Sequence, residues 1–354
     1  MQGQTPGVNI TSISGQPGES LKVSIRGLGT IGNAEPLYLI DGVRGDISNL
    51  NPADIESIDI LKDAASAAIY GAQAANGVVL VTTKNGKEGK AVVSFDGYFG
   101  VQNVAKEVNL LNTEQYMMIM DESHRNSTGS GYNWSGYKSI YDANGNLYDV
   151  DWLDKMFEDN AQMQSYTLGI TGGSTVSQYA ISLGYMSQEG IVGGKDVSNF
   201  SRYNFRINSE HKLFKNLLKV GEQVSVYRDK TGVGVGGQYD NSLRGAYEIA
   251  PFVPIYSDNN IYDMPYNDTS NSDWNQESGN PYGLMMMRHN QNKNVFFSGN
   301  AYAELQPIKN LKIRTVFGAN YSTNEYRNFN PIYQFGSTSR NTNTSVTQNM
   351  QHVL

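Results

Sequence analysis

From residue 89 onward the hydrophobic and polar positions of the chain alternate one by one, the period of a strand with one apolar and one wet face. In residues 90–103, Ala91, Val93, Phe95, Gly97, Phe99 and Val101 fall on one side and Ser94, Asp96, Tyr98 and Gln102 on the other. Residues 178–186 set Tyr179, Ile181, Leu183 and Tyr185 against Ala180, Ser182 and Gly184. The pattern is sharpest in 202–208, where Tyr203, Phe205 and Ile207 oppose Arg202, Asn204, Arg206 and Asn208. Further strands are predicted over 164–171, 218–228, 295–305 and 311–321, with an eighth beginning at 345–354. In 218–228 Glu222 falls on the apolar side, a position expected near a membrane interface, where a charge on the lipid side costs least.

The connections between these strands alternate in length. Long segments at 104–163, 187–201, 229–294 and 322–344 interleave with short turns at GGSTVS, HKLFKNL and QPIKN, so all long connections fall at one end of the strands. A membrane β-barrel has this polarity. A soluble sandwich alternates apolar and polar positions too, but has no reason to sort its loops by end. Eight strands would close only if the last paired with the first, and the last runs into the end of the chain; the chain is therefore expected to be cut within a larger barrel.

Residues 1–88 read as a small mixed α/β unit, and 89–354 as the first part of the barrel. Short apolar runs (22–27, 36–42, 54–63, 77–86) mix with helix signals. Asn51 before Pro52 is an N-cap followed by a first-turn proline. Asp63 is placed to cap an Ala-rich turn that Gly71 ends in a left-handed conformation. The runs ESIDILK and GVVLVTT read as strands.

Composition narrows the function. The 354 residues are 39% hydrophobic and include 37 Gly, 23 Tyr and 12 Phe, a balance of β-formers and turns. With no cysteine, disulfides and thiol chemistry are excluded. No apolar run approaches the roughly 20 residues of a membrane-spanning helix. Net charge is -7 without a basic block, which argues against nucleic acid as a partner. The first ten residues lack the charged and apolar regions of a signal peptide, so the natural start is expected upstream.

The sequence 23–102 carries a dense set of motifs: the IRG turn at Ile25–Gly27, PLYLIDG, NPADIESIDILKDAASAAIYG and ANGVVLVTTKNG, in order. NLLNTEQY (109–116) and DWLDKMFEDNAQMQSYTLGITGGS (151–174) extend them. Together they resemble the plug and early barrel of SusC/RagA-type TonB-linked outer-membrane proteins. The resemblance implies a mixed α/β plug domain followed by part of a transmembrane antiparallel β-barrel of about 22 strands, a size at which the lumen is plugged. It further implies the outer membrane of a Gram-negative, Bacteroidota-type cell, a SusD-like lipoprotein as lid, and force from the TonB–ExbB–ExbD complex.

Within that frame Arg26 and Glu56 are candidate plug–barrel contacts, with an ordinary surface ion pair as the alternative. Gly27, Gly29 and Gly32 lie in a turn with little apolar anchoring and are candidates for a moving gate. The same Gly27–Gly32 stretch satisfies the dinucleotide pattern GxGxxG, but Asn33, Glu35 and Pro36 follow where a helix is required. Asp142, Asn144 and Asn146 space like the start of a calcium loop, though Gly145 stands too early and no closing Glu follows; an Asn-Gly hairpin turn accounts for them equally. His124, His211, His289 and His352 show no metal spacing. Nothing points to a catalytic group or a cofactor.

The long loop holds Phe252, Tyr256, Tyr262, Tyr266, Trp274 and Tyr282 among Asn and Asp. Aromatic faces beside amides suit sugar rings, and Tyr256, Tyr262, Tyr266 and Trp274 are the candidate ligand-facing residues; packing within the loop or an interface belt is the competing reading. The expected function is TonB-dependent import of a glycan or, less often, a peptide. Siderophore or haem uptake through the same architecture, and a secreted β-sandwich adhesin, are the alternatives.

Overall fold

The computed structural model describes residues 6–11, 14–19, 21–25, 27, 34–63, 68–134, 140–232, 235, 241–256, 280–330 and 339–353. Arg26, Gly29 and Gly32 of the expected contact and gate, and Tyr262, Tyr266 and Trp274 of the long loop, lie outside these residues.

The N-terminal part is built on a four-stranded sheet ordered β4-β3-β6-β5, flanked by the pair β1 (Val8–Thr11) and β2 (Lys22–Ile25). Strand β3 (Leu37–Ile40) turns into β4 (Val43–Arg44) through Asp41 and Gly42, both at positive φ, 50° and 87°. An Asp-Gly pair adopts such a two-residue turn at low cost, and the turn's twist matches the strands it joins. Between β3, with which it runs parallel, and β5 (Ile55–Leu61) lies β6 (Val78–Thr83). An uninterrupted apolar run suits a strand covered on both faces: Val78 packs with Leu37, Leu39 and Ala74, whereas Val79 and Val81 pack with Ile25 and Leu50. Asn51 caps the 3₁₀ turn Pro52–Asp54 through the Ala53 amide, with Pro52 in the first turn. The Ala-rich segment Ala68–Ala74 is two 3₁₀ turns meeting at Gly71 (φ 70°, ψ -159°), so that glycine joins two turns instead of ending a helix.

Every strand expected after residue 89 is present. Strands β7 (Gly89–Gln102), β8 (Ala161–Gly173), β9 (Ser177–Gly190) and β10 (Ser198–Leu213) are followed by β11 (Leu218–Gly232), β12 (Gln291–Ile308), β13 (Leu311–Asn330) and β14 (Ser339–Val353). They form one antiparallel eight-stranded meander in sequence order, and among the described residues β14 does not pair with β7. Strands run further than the alternation indicated: β9 and β10 leave only 191–197 between them, where 187–201 was expected as loop. Backbone ladders continue through pairs such as Ser187↔Ser201 that carry no apolar signal.

Cross-strand register shows what the alternation does. One row reads Phe95, Leu168, Leu183, Phe205, Val226, Phe297 and Tyr321, each opposite the next. The adjoining row on the opposite face reads Ser94, Gly169, Ser182, Arg206, Ser225, Ser298 and Asn320. Leu183 is 52% exposed and Arg206 only 5%, because the polar face is covered by the N-terminal part and the apolar face is bare. The bare face extends from the row of Tyr166, Tyr185 and Tyr203 to that of Leu213, Leu218, Leu305 and Ile313. Ten residues of tilted strand make a band about 25 Å tall, the height of a barrel's lipid-facing belt. Glu222 lies on this bare face, inside the band, and there accepts a hydrogen bond from Ser209, which also meets His211 Nε2 at 2.9 Å. The expected interface position is thus replaced by one within the band, in the row of Tyr179 and Ser209, where a hydrogen-bonded partner makes the charge tolerable.

The short turns and the β6–β7 link lie at one end of the sheet. At the other, three long connections share a core of Trp152, Leu153, Met156, Val197, Phe252 and Met285, carried largely on α2 (Trp152–Met156), α3 (Gly194–Val197), α4 (Ser242–Glu248) and α5 (Pro281–Met287). Helix α1 (Thr113–Thr128) leans on it through Tyr116 and Met117, started by an Asn112/Gln115 capping box and ended by Gly129. Phe205 stands one row in from the Tyr203 edge of the bare face, and Ile207, opposite Ile181 and Val224, stands near its middle. Ile207→Arg is expected to cost ~2–4 kcal/mol in a lipid-folding titration of the protein, whereas a neutral Ile207→Leu should cost well under half of that, and Phe205→Arg, nearer the edge, less than Ile207→Arg.

Candidate functional site: a polar seam between the N-terminal part and the wall

Arg206 is the centre of the contact between the inner sheet and the wall. It reaches from β10 to the end of β6, where Nη2 lies 3.5 Å from Asp41 Oδ2 and donates to Thr83 Oγ1, while Nη1 donates to Lys84 O at 3.2 Å. Asp41 is already committed to the same strand end. Its carboxylate accepts from the Thr83 amide at 2.9 Å and from the Thr83 hydroxyl, and its own amide donates to Val81 O at 2.9 Å. The Asp-Gly turn therefore presents a preorganised carboxylate to a single buried guanidinium.

Around this pair the seam is held by a set of hydrogen bonds, with Val43, Leu50 and Phe296 packed beside them. Asn208 donates to Lys84 O at 3.4 Å and to Asn85 Oδ1. Asn51 uses its oxygen for the cap and its amide for Thr167 Oγ1, 2.9 Å away. Toward the long-loop end, Arg202 donates to Ser48 O at 2.6 Å and to Asp229 at 3.1 Å, with Phe200 and Tyr227 rings beside its guanidinium. Tyr227 donates to Asn49 Oδ1 at 2.7 Å, and Asn320 donates to Arg44 O at 3.0 Å.

Close approach is made possible by glycines on either side. A Cβ on Gly318 would stand 2.8 Å from Val43, and one on Gly184 would stand 2.7 Å from Asn51 Nδ2. A Cβ on Gly86 would strike the backbone of Tyr179, so the link from β6 to β7 can hug β9 only through a glycine. Two cavities of about 30 Å³ flank Arg206, one beside Asp41, Asn49 and Asn300 and the other beside Asp54, Asp96 and Ser182. Each is large enough for a water and has polar groups in its lining, although Val43, Leu50 and Phe296 also wall the first.

Of the residues expected from sequence, Glu56 lies at the surface, 3.9 Å from Lys87. Gly27 follows β2 at φ 86° with open space where a Cβ would be. Tyr256 is 45% exposed and meets Tyr282 edge to face at 6.3 Å, whereas Phe252 is buried in the loop core. The Asp142 carboxylate is occupied by the Asn144 and Asn146 amides at 2.9 and 2.8 Å, an Asx turn closing the Tyr141↔Leu147 bridge; these hydrogen bonds hold its carboxyl below the usual range. Asp41 and Thr83 were missed. Their signal was the Asp-Gly pair between two strand-like runs, which fixes where that carboxylate points.

Removing one member of a buried pair leaves the other unsatisfied. Arg206→Met is expected to loosen the seam by about 3–5 kcal/mol, read as lost hydrogen-exchange protection at the Thr83 amide, and adding Asp41→Asn should restore much of it. Burial pushes the Asp54 carboxyl up, against the pull of Ser182, Arg206 and Lys84. The folded state then holds this proton more tightly than the unfolded chain, so docking should strengthen as pH falls from above the raised value toward the ordinary carboxylate range. Asp54→Asn should abolish that pH dependence in the same exchange measurement.

The TonB-dependent Receptor Plug Domain family model matches residues 1–78. TonB-dependent receptor P26 of Formosa agariphila is 33% identical over 338 residues, covering 93% of this chain and 32% of that protein. TonB-dependent receptor SusC of Bacteroides thetaiotaomicron is 29% identical over 381 residues, covering 98% of this chain and 36% of that receptor. Among solved structures, the RagAB peptide importer in its open-open state superposes with a TM-score of 0.78 at 25% identity, over 99% of this chain and 42% of that one. The chain spans about a third of the length of these curated relatives. The chain thus carries a TonB-dependent receptor plug domain and is homologous along nearly its whole length to TonB-dependent receptors of the SusC type.

Proposed function

We propose that residues 1–88 are the plug and residues 89–354 the leading part of the wall of an outer-membrane channel that imports a glycan. Energy comes from the TonB–ExbB–ExbD complex, and a SusD-like lipoprotein covers the outer mouth. The observation that carries the import reading is the chemistry of the seam. A permanent domain contact would be expected to bury mainly apolar surface; this one is held chiefly by hydrogen bonds and the Arg206–Asp41 ion pair, which water can replace when the plug moves.

The glycan reading rests on the outer loop, where the exposed ring of Tyr256 begins a stretch that includes Tyr262, Tyr266 and Trp274 among Asn and Asp. Aromatic faces take the C–H side of a sugar ring, and amides take its hydroxyls. A peptide cargo is the second reading, favoured by the similarity to a structure described as a peptide importer. A strain lacking the gene, grown on individual glycans, should fail on one glycan class and recover with the gene restored. Failure confined to oligopeptides would establish the second reading, and failure only under iron limitation would replace both with chelate uptake.

A further inference from the structure

The bare face of the wall carries unpaired cations at one edge of its apolar band. Lys230 on β11 and Lys293 on β12 stand directly opposite one another, on the outward side, in the row next beyond Tyr203. Arg228 stands in the Tyr203 row itself. Like charges opposed across two strands destabilise the pair unless an anion lies between them. Among the described residues no hydrogen bond or ion pair engages any of these three side chains. The nearest acid in the row, Glu325 opposite Lys293, is held by Arg327.

Beside these cations the outward surface is hollowed. A groove of about 470 Å³ runs between Leu183, Tyr185, Tyr203, Phe205 and Val226 and reaches Arg228. Two residues of tilted strand place the lysines about 5 Å beyond the tyrosine row, the level of lipid headgroups. They lie toward the long connections, the outer side of a barrel of this polarity.

We propose that Arg228, Lys230 and Lys293 bind a phosphate of lipid A in the outer leaflet, with an acyl chain of the same molecule along the groove. The assignment rests on the outer-membrane placement proposed above. The juxtaposition matches a molecule with an anionic, multidentate head directly joined to hydrocarbon: three cationic residues stand in two adjoining rows at the head, and aromatic and aliphatic side chains flank the chain. Lipid A is favoured over a glycerophospholipid because these three cations lie at the outer-leaflet edge of the band.

The test is a lipid titration of the purified, detergent-extracted receptor carrying this chain, read by native mass spectrometry. Phosphorylated lipid A, its dephosphorylated form and phosphatidylglycerol are the probes. The phosphorylated form is expected to bind at least tenfold more tightly than the dephosphorylated one, and Arg228→Gln, Lys230→Gln and Lys293→Gln together should remove that difference. Equal binding of the two forms by the unaltered receptor, or an undiminished preference in the triple variant, overturns the site. Phosphatidylglycerol binding as tightly as lipid A overturns the choice of lipid. Should the variant not fold, the comparison on the unaltered receptor still decides. Neither growth nor import enters the readout, so loss of the import reading, for instance by finding the receptor outside the outer-membrane fraction, is a separate result.

Discussion

Each wall strand has to satisfy two environments at once, because neighbouring residues on a strand point to opposite sides. Hydrocarbon on one side admits Leu183 and Phe205; on the other, Ser182 and Arg206 must find partners. The backbone is fully engaged in the ladder, so the side chains alone decide what each face can touch. From that follows the character of the plug's surface. A plug docked on a row of Ser, Asn and Arg cannot be held by an apolar core, and the structure shows the consequence: Asn51, Ser48 O, Asn49 and Lys84 O are what the wall grips.

Polar gripping demands short distances, which is where small residues enter. Gly184 and Gly318 remove bulk from the wall opposite Asn51 and Val43, and Gly86 lets the chain cross β9. The buried Arg206–Asp41 pair adds register: a guanidinium with one carboxylate, one hydroxyl and one carbonyl to satisfy has few alternative seats. Such a pair contributes modest net stability, since its desolvation offsets much of the attraction, but penalises misplacement heavily. Its value here is in where the plug sits.

How much of this was legible in the sequence depended on the range of the interaction. The alternation around Phe205 marked the lumen side of β10 and so marked Arg206, yet gave no indication of its partner, which lies 165 positions earlier in the chain. Asp41 was readable as part of an Asp-Gly turn, a local signal, but its meaning is set by Thr83 and Arg206, which are not local. Strand ends were underestimated wherever both faces turned polar, as at Ser187 and Ser201, because hydrogen-bond ladders leave no trace in hydrophobicity. Glu222 looked like an isolated charge; its partner Ser209 is supplied by register across the 214–217 turn. The loop core was invisible for a similar reason. Trp152, Val197 and Phe252 come from three separate connections, none of which has a period of its own.

If the plug is pulled as the import proposal requires, the difference between its inside and its outside sets the order in which it would give way. Inside, Val78, Val79 and Val81 are buried on both faces of β6, and exposing such side chains costs ~1.5–3 kcal/mol each. At the seam, every hydrogen bond lost can be remade with water, for a net ~0.5–1.5 kcal/mol, and the water-sized cavities beside Arg206 leave room for the exchanging molecules. Withdrawal of the plug also returns hydration to Arg206 and Asp41 together, so the loss of their attraction is partly offset. Pulling on the N-terminal part therefore meets its weakest resistance where the plug touches the wall. The sheet can leave its seat as a unit before β3 and β6 separate, and can return to the same seat because Arg206 accepts only that one.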